Sequence, residues 1–111
     1  MTESMEKPEY ARRVDECLAK VEVWLEGFDP DEVDYSTSDG VVTLTFADGV
    51  RYVLNRQSAA SQVWFAAGAR AWHYNWSDSL GAWVDDRDGH RLYDNLARVV
   101  STKLGRAVTL S

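Results

Sequence analysis

The chain has 111 residues, which is the length of one domain, and its single cysteine excludes an intramolecular disulfide. The formal net charge is −6, and the acid is concentrated at positions 1–39, which hold twelve Asp or Glu against four Lys or Arg. Such a negative field disfavours nucleic acid and anionic membranes as partners and favours cations or basic protein surfaces. The sequence has no apolar leader and no apolar run long enough to span a membrane, so we expect a single-domain cytoplasmic protein.

The first predicted element is an amphipathic helix over residues 8–27, preceded by a segment, residues 1–7, that we expect to be flexible. Pro8 suits the first turn of a helix, while Gly27 and Pro30 favour its end. Apolar residues recur at helical spacing along one broad side, and the single cysteine is among them. We therefore expect its thiol to be buried and inert.

Acidic side chains form a second pattern that begins on this helix. Asp15, Glu22 and Glu26 project along one stripe about 40° wide, beside the apolar side. The following loop and a predicted polar edge strand, residues 33–38, add Asp29, Asp31, Glu32 and Asp34. We call these seven carboxylates the acidic ridge. Oxygen ligands without His or Cys predict weak, poorly selective binding of hard cations, and the ridge could equally bind a basic protein surface.

The stretch 41–57 predicts two strands joined by a tight turn. A three-residue turn, Ala47-Asp48-Gly49, with Gly49 left-handed, pairs Phe46 with Val50 and brings the apolar rows of both strands to one face. That row includes Val50 as a core residue. The opposite face then carries Thr43, Thr45, Arg51, Val53, Asn55 and Gln57.

Two further strands continue the predicted sheet. Strand four, residues 61–67, places Gln62 and Trp64 outward, and strand five, residues 71–76, places His73 outward. Three alternatives remain open at this stage. In the first, the strand is phased differently and Trp64 is an ordinary core residue. In the second, Asn55 and Gln57 only close a turn by bonding to the backbone. In the third, His73 is a plain polar strand residue.

The last predicted elements are a short sixth strand and a helix over residues 90–104. Asp88 is the expected N-cap and Gly105 the expected end of this helix, with His90 on the surface and residues 107–110 folded back against the core. The predicted fold is therefore α+β, a two-layer α/β sandwich with two helices on one face of a roughly six-stranded antiparallel sheet.

Catalytic motifs are missing from the sequence. No nucleophile has an adjacent base in a recognisable setting, and there is no glycine-rich phosphate loop, CxxC or HExxH. The paired carboxylates lie on a convex helix flank, where a shift in their pKa values is difficult to arrange. We therefore predict that the protein is not an enzyme.

Taken together, these residues resemble the frataxin family over about positions 9–111. The resemblance is carried by the hairpin Gly40–Gly49, the run Asn55-Arg56-Gln57, the segment Gln62–Phe65, His73-Tyr74, Trp83, and Asp86–Gly89. It implies an iron-binding protein of iron–sulfur cluster assembly, with Fe²⁺ or Fe³⁺ bound weakly on the acidic ridge and other hard cations able to replace it.

The resemblance also implies partners. The family docks on the cysteine desulfurase and its iron–sulfur scaffold protein, and the matching docking residues here are Asn55, Gln57, Gln62, Trp64 and His73. It implies a monomer and leaves open whether iron induces oligomers and whether cluster assembly is accelerated or slowed. The alternative is an acidic adaptor for other proteins, with no physiological role for metal.

Overall fold

A helix opens the fold, six strands follow, and a second helix closes it. The computed structural model describes residues 7–110. The elements are α1 (Lys7–Glu26), β1 (Val33–Ser38), β2 (Val41–Phe46), β3 (Arg51–Gln57), β4 (Gln62–Ala67), β5 (Arg70–Ser77), β6 (Ala82–Asp85) and α2 (Leu92–Leu104). The predicted flexible segment falls outside the described residues except at Lys7, which is the first residue of α1.

The strands form one antiparallel sheet in which their spatial order follows the chain, from β1 to β6. The predicted three-residue turn between β2 and β3 is confirmed, because the Phe46 amide donates to the Val50 carbonyl at 2.9 Å. Gly49 has a left-handed φ of +87°. Val50 itself is 37% exposed, so its prediction as a core residue is wrong. It flanks the turn, beyond the end of the apolar row that β2 and β3 share.

Both helices cover the same face of the sheet, so the predicted two-layer sandwich is confirmed. Val14 and Val21 of α1 and Leu96 and Val100 of α2 are completely buried. They belong to one apolar cluster with the inward residues of the strands. The buried apolar residues of the strands are Val33, Val42, Leu44, Phe46, Leu54, Val63, Phe65, Ala67, Trp72, Tyr74 and Trp83.

The start of α2 differs from the prediction. The helix begins at Leu92, and Arg91 occupies the N-cap position in extended conformation without a side-chain cap bond. Arg91 is extended because it forms an isolated bridge with Val84 of β6. Asp88 is therefore not the N-cap, and its carboxylate accepts from the backbone amide of His90 instead. The predicted end at Gly105 is confirmed by its φ of +73°.

The C-terminal tail packs against the helices, as predicted. Leu110 is 9% exposed, and the Trp24 indole donates to the Thr109 carbonyl at 2.8 Å. The Ser101 hydroxyl bonds to both backbone groups of Val108. Among residues 7–110, no helix is long and apolar enough to cross a membrane.

Candidate functional site

The five predicted partner-binding residues lie together on the outward face of the sheet. Asn55 of β3 is paired with Trp64 of β4, and Trp64 is paired with His73 of β5. Gln57 and Gln62 are paired at the ends of β3 and β4. Since cross-strand partners are in direct contact, these five side chains form one surface, which we call the sheet-face patch.

Trp64 is the centre of the sheet-face patch. Its predicted outward phase is confirmed, because its two neighbours in β4 are completely buried while Trp64 is only half-buried. The indole stacks on the His73 ring, with centroids 4.2 Å apart and an interplanar angle of 17°. Its N–H donates to Gln62 Oε1 at 2.8 Å. The indole therefore presents a flat aromatic surface whose polar atom is already satisfied.

Hydrogen bonds extend the sheet-face patch to two residues that were not predicted to bind a partner, Asn75 and Asp86. Gln62 Nε2 donates to Asn75 Oδ1 at 3.2 Å and to Asp86 Oδ2 at 3.3 Å. His73 Nδ1 lies 3.8 Å from Asp86 Oδ2. The outward parity of Asn75 in strand five was the available signal for it, whereas the position of Asp86 depends on how β5 and β6 pair.

The corner between β3 and β4 is closed by Tyr10, and of the two amide side chains only that of Asn55 bonds to the backbone there. The Tyr10 hydroxyl donates to the Gln62 carbonyl at 2.7 Å and accepts from the Gln57 backbone amide at 3.2 Å. Burial raises the pKa of Tyr10, so the hydroxyl keeps its proton for this role. Asn55 Nδ2 bonds to the carbonyl of Arg56 at 3.1 Å. The Gln57 side chain makes no hydrogen bond within the described part of the chain, so it is available to a partner.

The acidic ridge follows the edge of the fold from α1 through the loop to β1. Two of its carboxylates are paired with cations from distant parts of the chain. Asp15 Oδ1 accepts from Arg56 Nη2 at 2.6 Å, and Glu32 Oε1 accepts from Arg106 Nη2 at 2.6 Å. Both pairs are largely solvent-exposed, so each is worth little to stability. They reduce the negative charge that the ridge offers to a cation.

Tyr35 connects the helical and strand parts of the ridge. Its hydroxyl donates to Glu26 Oε2 at 2.8 Å. This hydrogen bond raises the pKa of Tyr35, and the negative charges of Glu26, Glu22 and Asp34 raise it further. The negative charges of Glu22, Glu26 and Asp34 therefore all act at the Tyr35 hydroxyl. Tyr35 was not predicted as part of the ridge, because its hydroxyl reaches the helix only after α1 and β1 have packed.

The remaining ridge carboxylates do not converge on one point. Asp29 and Asp34 each accept a hydrogen bond from a nearby backbone amide, at 2.9 Å in both cases. Among residues 7–110, only one group of three potential ligands has atoms within 4.8 Å of one another, and it contains Asp85, Asp88 and His90. The ridge thus offers separate carboxylates, to which a cation would bind while it retains much of its water shell.

The single cysteine, Cys17, is buried in α1, as predicted. Burial raises the pKa of its thiol to about 12. Because the thiolate is the reactive form, this cysteine is unsuited to nucleophilic or ligand chemistry at neutral pH.

A model of the frataxin-like domain matches residues 3–106. This chain belongs to the frataxin family. A curated frataxin-family relative from Thioalkalivibrio sulfidiphilus (strain HL-EbGR7), named iron–sulfur cluster assembly protein CyaY, is 42% identical over 79 residues. That match covers 71% of this chain and 74% of the relative.

Solved structures of frataxins share the fold. Frataxin from Psychromonas ingrahamii superposes with a TM-score of 0.85 at 27% identity, covering 96% of this chain and 99% of the other. Trimeric frataxin from the yeast Saccharomyces cerevisiae, complexed with ferrous iron, gives a TM-score of 0.67 at 27% identity and covers 96% and 92%. The frataxin fold predicted from the sequence is therefore confirmed across the described chain.

Proposed function

We propose that this chain is an iron-binding accessory protein of iron–sulfur cluster assembly, and that it docks on the cysteine desulfurase–scaffold complex. The observation that carries this proposal is the 42% identity to a relative named iron–sulfur cluster assembly protein. The ferrous complex of the yeast frataxin supports iron as the cation. On this proposal the chain acts on the assembly machinery as an iron donor or an iron sensor and performs no catalytic step itself.

The acidic ridge is the proposed iron-binding surface. Its carboxylates supply hard oxygen ligands, which suit Fe²⁺ and Fe³⁺ as well as Mn²⁺ and Ca²⁺. Because they are mostly exposed and separated, the bound cation keeps water ligands and exchanges readily. Such weak, salt-sensitive binding suits a protein that delivers or senses iron.

The sheet-face patch is the proposed docking surface. A flat indole at the centre of a surface is a frequent source of binding energy between proteins, and Trp64 has this position. The surrounding amides provide donors and acceptors that fix the partner's orientation. The neighbouring acidic ridge would speed the encounter with a basic partner surface.

Docking is tested with the purified desulfurase–scaffold complex and the Trp64→Ala variant. We expect the variant to bind at least about tenfold more weakly, because a central aromatic contact is worth more than about 1.4 kcal/mol. Thr45→Ala is the matched control, since Thr45 lies on the outward face of β2 away from the patch, and it should bind like the unaltered protein. Equal affinity of both variants would rule out docking through Trp64.

A second candidate function is an acidic adaptor without a physiological metal role. It is favoured by the ion pairs at Asp15 and Glu32, which already occupy two ridge carboxylates. An anaerobic titration with Fe²⁺, followed by the amide spectrum, separates the two functions. We expect progressive shifts around Glu22, Glu26 and Asp34 if the ridge binds iron. Shifts that avoid the ridge would favour the adaptor.

A further inference from the structure

We propose that the loop between β6 and α2 holds a second cation site, selective for a first-row divalent transition metal. Its ligands are Asp85, Asp88 and His90, which each offer one ligand atom within 4.8 Å of the others. None of the three belongs to the acidic ridge or to the sheet-face patch. Unlike the ridge, this site contains an imidazole nitrogen and is already assembled.

An unpartnered buried oxygen on Asp85 gives independent support for a bound cation. Asp85 is only 4% exposed. Its Oδ1 accepts from the backbone amides of Arg87 at 2.7 Å and Asp88 at 3.2 Å. Its Oδ2 is buried and has no hydrogen-bond partner among the described residues. An ionised carboxylate oxygen left in this state is costly, and coordination of a cation would remove the cost.

The imidazole of His90 is held in a fixed orientation, as ligating histidines usually are. The carboxylate of Asp88 can only accept, so the ring proton lies on Nδ1, 2.6 Å from Asp88 Oδ1. Nε2 then accepts from the Tyr74 hydroxyl at 2.8 Å, and this hydroxyl in turn accepts from Asn95 Nδ2 at 2.9 Å. When a metal binds Nδ1, this proton moves to Nε2, and the bond to the Tyr74 oxygen persists with the ring as donor.

A cleft gives a hydrated ion access to two of these ligands, Asp88 and His90. Asp88 and His90 line an opening of about 360 Å³ between β5 and α2. The same cleft is lined by Asp94 and by two arginines, Arg70 and Arg98, which offset the two carboxylates, so its field is not strongly negative. Binding must then depend on the imidazole nitrogen and not on charge alone. Such a mixed donor set favours Zn²⁺, Co²⁺ or Fe²⁺ over Ca²⁺ and Mg²⁺, whereas the acidic ridge is expected to discriminate little between these cations.

The site is tested by a Zn²⁺ titration of the untagged chain, followed by the ring-nitrogen signals of its two histidines. We expect the His90 signals to shift first and to saturate near one equivalent, while Ca²⁺ leaves them unchanged. His90→Gln should abolish this binding phase. His73→Gln is the matched control, because it removes the other histidine of the chain and should leave the phase intact.

A second variant distinguishes the loss of a metal ligand from a folding defect in His90→Gln. Asp88 is exposed, so Asp88→Asn should keep the fold, as its amide spectrum would show, and weaken Zn²⁺ binding by at least about tenfold. The proposal is overturned if the His90 ring does not respond to Zn²⁺, if both variants bind like the unaltered protein, or if His73→Gln removes the phase. These outcomes do not depend on whether the ridge binds iron.

Discussion

Trp64 and Phe65 are neighbours in β4 that point to opposite faces of the sheet. Substitutions at these two positions therefore distinguish an effect on binding from an effect on stability. Phe65 is completely buried and stacks on Trp72, with ring centroids 5.5 Å apart. We expect Phe65→Ala to lower the free energy of unfolding by about 3–5 kcal/mol. Trp64→Ala should cost only about 1 kcal/mol, the value of an aromatic stack at a partly exposed site.

Urea unfolding of the two variants measures both costs. A loss at Trp64→Ala as large as that at Phe65→Ala would mean that Trp64 supports the core, and its role as a docking residue would lose its structural basis. The small loss expected here is also what makes Trp64→Ala a usable binding variant.

The buried thiol of Cys17 makes the free energy of unfolding decrease at alkaline pH. Burial raises the pKa of its thiol from 9.0 to about 12, so the folded state keeps a proton that the unfolded state loses. The contribution of the protonated thiol to stability is complete below about pH 9. It falls as the pH rises toward 12, with a slope that approaches about 1.4 kcal/mol per pH unit. Urea unfolding from about pH 8 to about pH 11 should show this decline.

Cys17→Ala provides the control for this decline. The variant loses stability at every pH because it leaves a small cavity, but its unfolding free energy should fall less steeply above pH 9. Burial also raises the pKa values of Tyr74 and Tyr93. The contribution of Tyr74 is common to both proteins, whereas that of Tyr93 is smaller in the variant because Cys17 itself helps to raise the pKa of Tyr93. Parallel curves for the two proteins would contradict a buried, protonated thiol.

Contacts between elements set how much charge the acidic ridge offers to a cation. Arg56 reaches from β3 to Asp15 on α1, 41 positions away in the chain. We expect Arg56→Gln to free Asp15 and to tighten Mn²⁺ binding on the ridge by about two- to fivefold, which corresponds to an exposed pair worth up to about 1 kcal/mol. Calorimetric titration with Mn²⁺ measures the change.

Lys103→Gln is the matched control for Arg56→Gln. It also removes one positive charge, but its partner Asp48 lies in the turn between β2 and β3, outside the ridge. A similar gain in Mn²⁺ affinity for both variants would show that only net charge matters. A gain confined to Arg56→Gln would assign the effect to Asp15.

Two turns of the sheet test the position of Arg56 in another way. Gly40 and Gly49 are both left-handed, with φ of +80° and +87°. A Cβ at Gly40 would lie 3.0 Å from Arg56 Cδ, whereas a Cβ at Gly49 would have no atom within 4 Å. Both Gly→Ala variants should lose about 1–2 kcal/mol to backbone strain, and Gly40→Ala should lose more. Equal losses in urea unfolding would mean that Arg56 moves away without cost.

At the scale of the whole molecule, periodicity explains why the layers could be predicted. Alternating residues in the strands and helical spacing in α1 each define one apolar side, and joining these sides leaves a two-layer sandwich as the arrangement that buries them. The β2–β3 register was also predictable, because only one turn length aligned Phe46 with the apolar row of β3. The outward position of the sheet-face patch follows from the same parity.

Features that depend on distant contacts could not be predicted in this way. The Glu32–Arg106 pair joins residues 74 positions apart, and no local pattern indicates it. Asp85 lies in the run Asp85–Asp88, which is typical of an exposed loop, yet it is the last residue of β6, is paired with the buried Tyr74, and has a buried side chain. The start of α2 was misplaced for a related reason, since the bridge to Val84 of β6 holds Arg91 in extended conformation and delays the helix to Leu92.

The proposed role is tested most directly by the rate of cluster assembly on a purified desulfurase and scaffold, with and without this chain. We predict that the unaltered protein changes the rate, that Trp64→Ala loses most of this effect, and that Thr45→Ala retains it. An assembly rate that is the same with and without the chain, or a Trp64→Ala variant as effective as the unaltered protein, would contradict docking through the sheet-face patch as the basis of function.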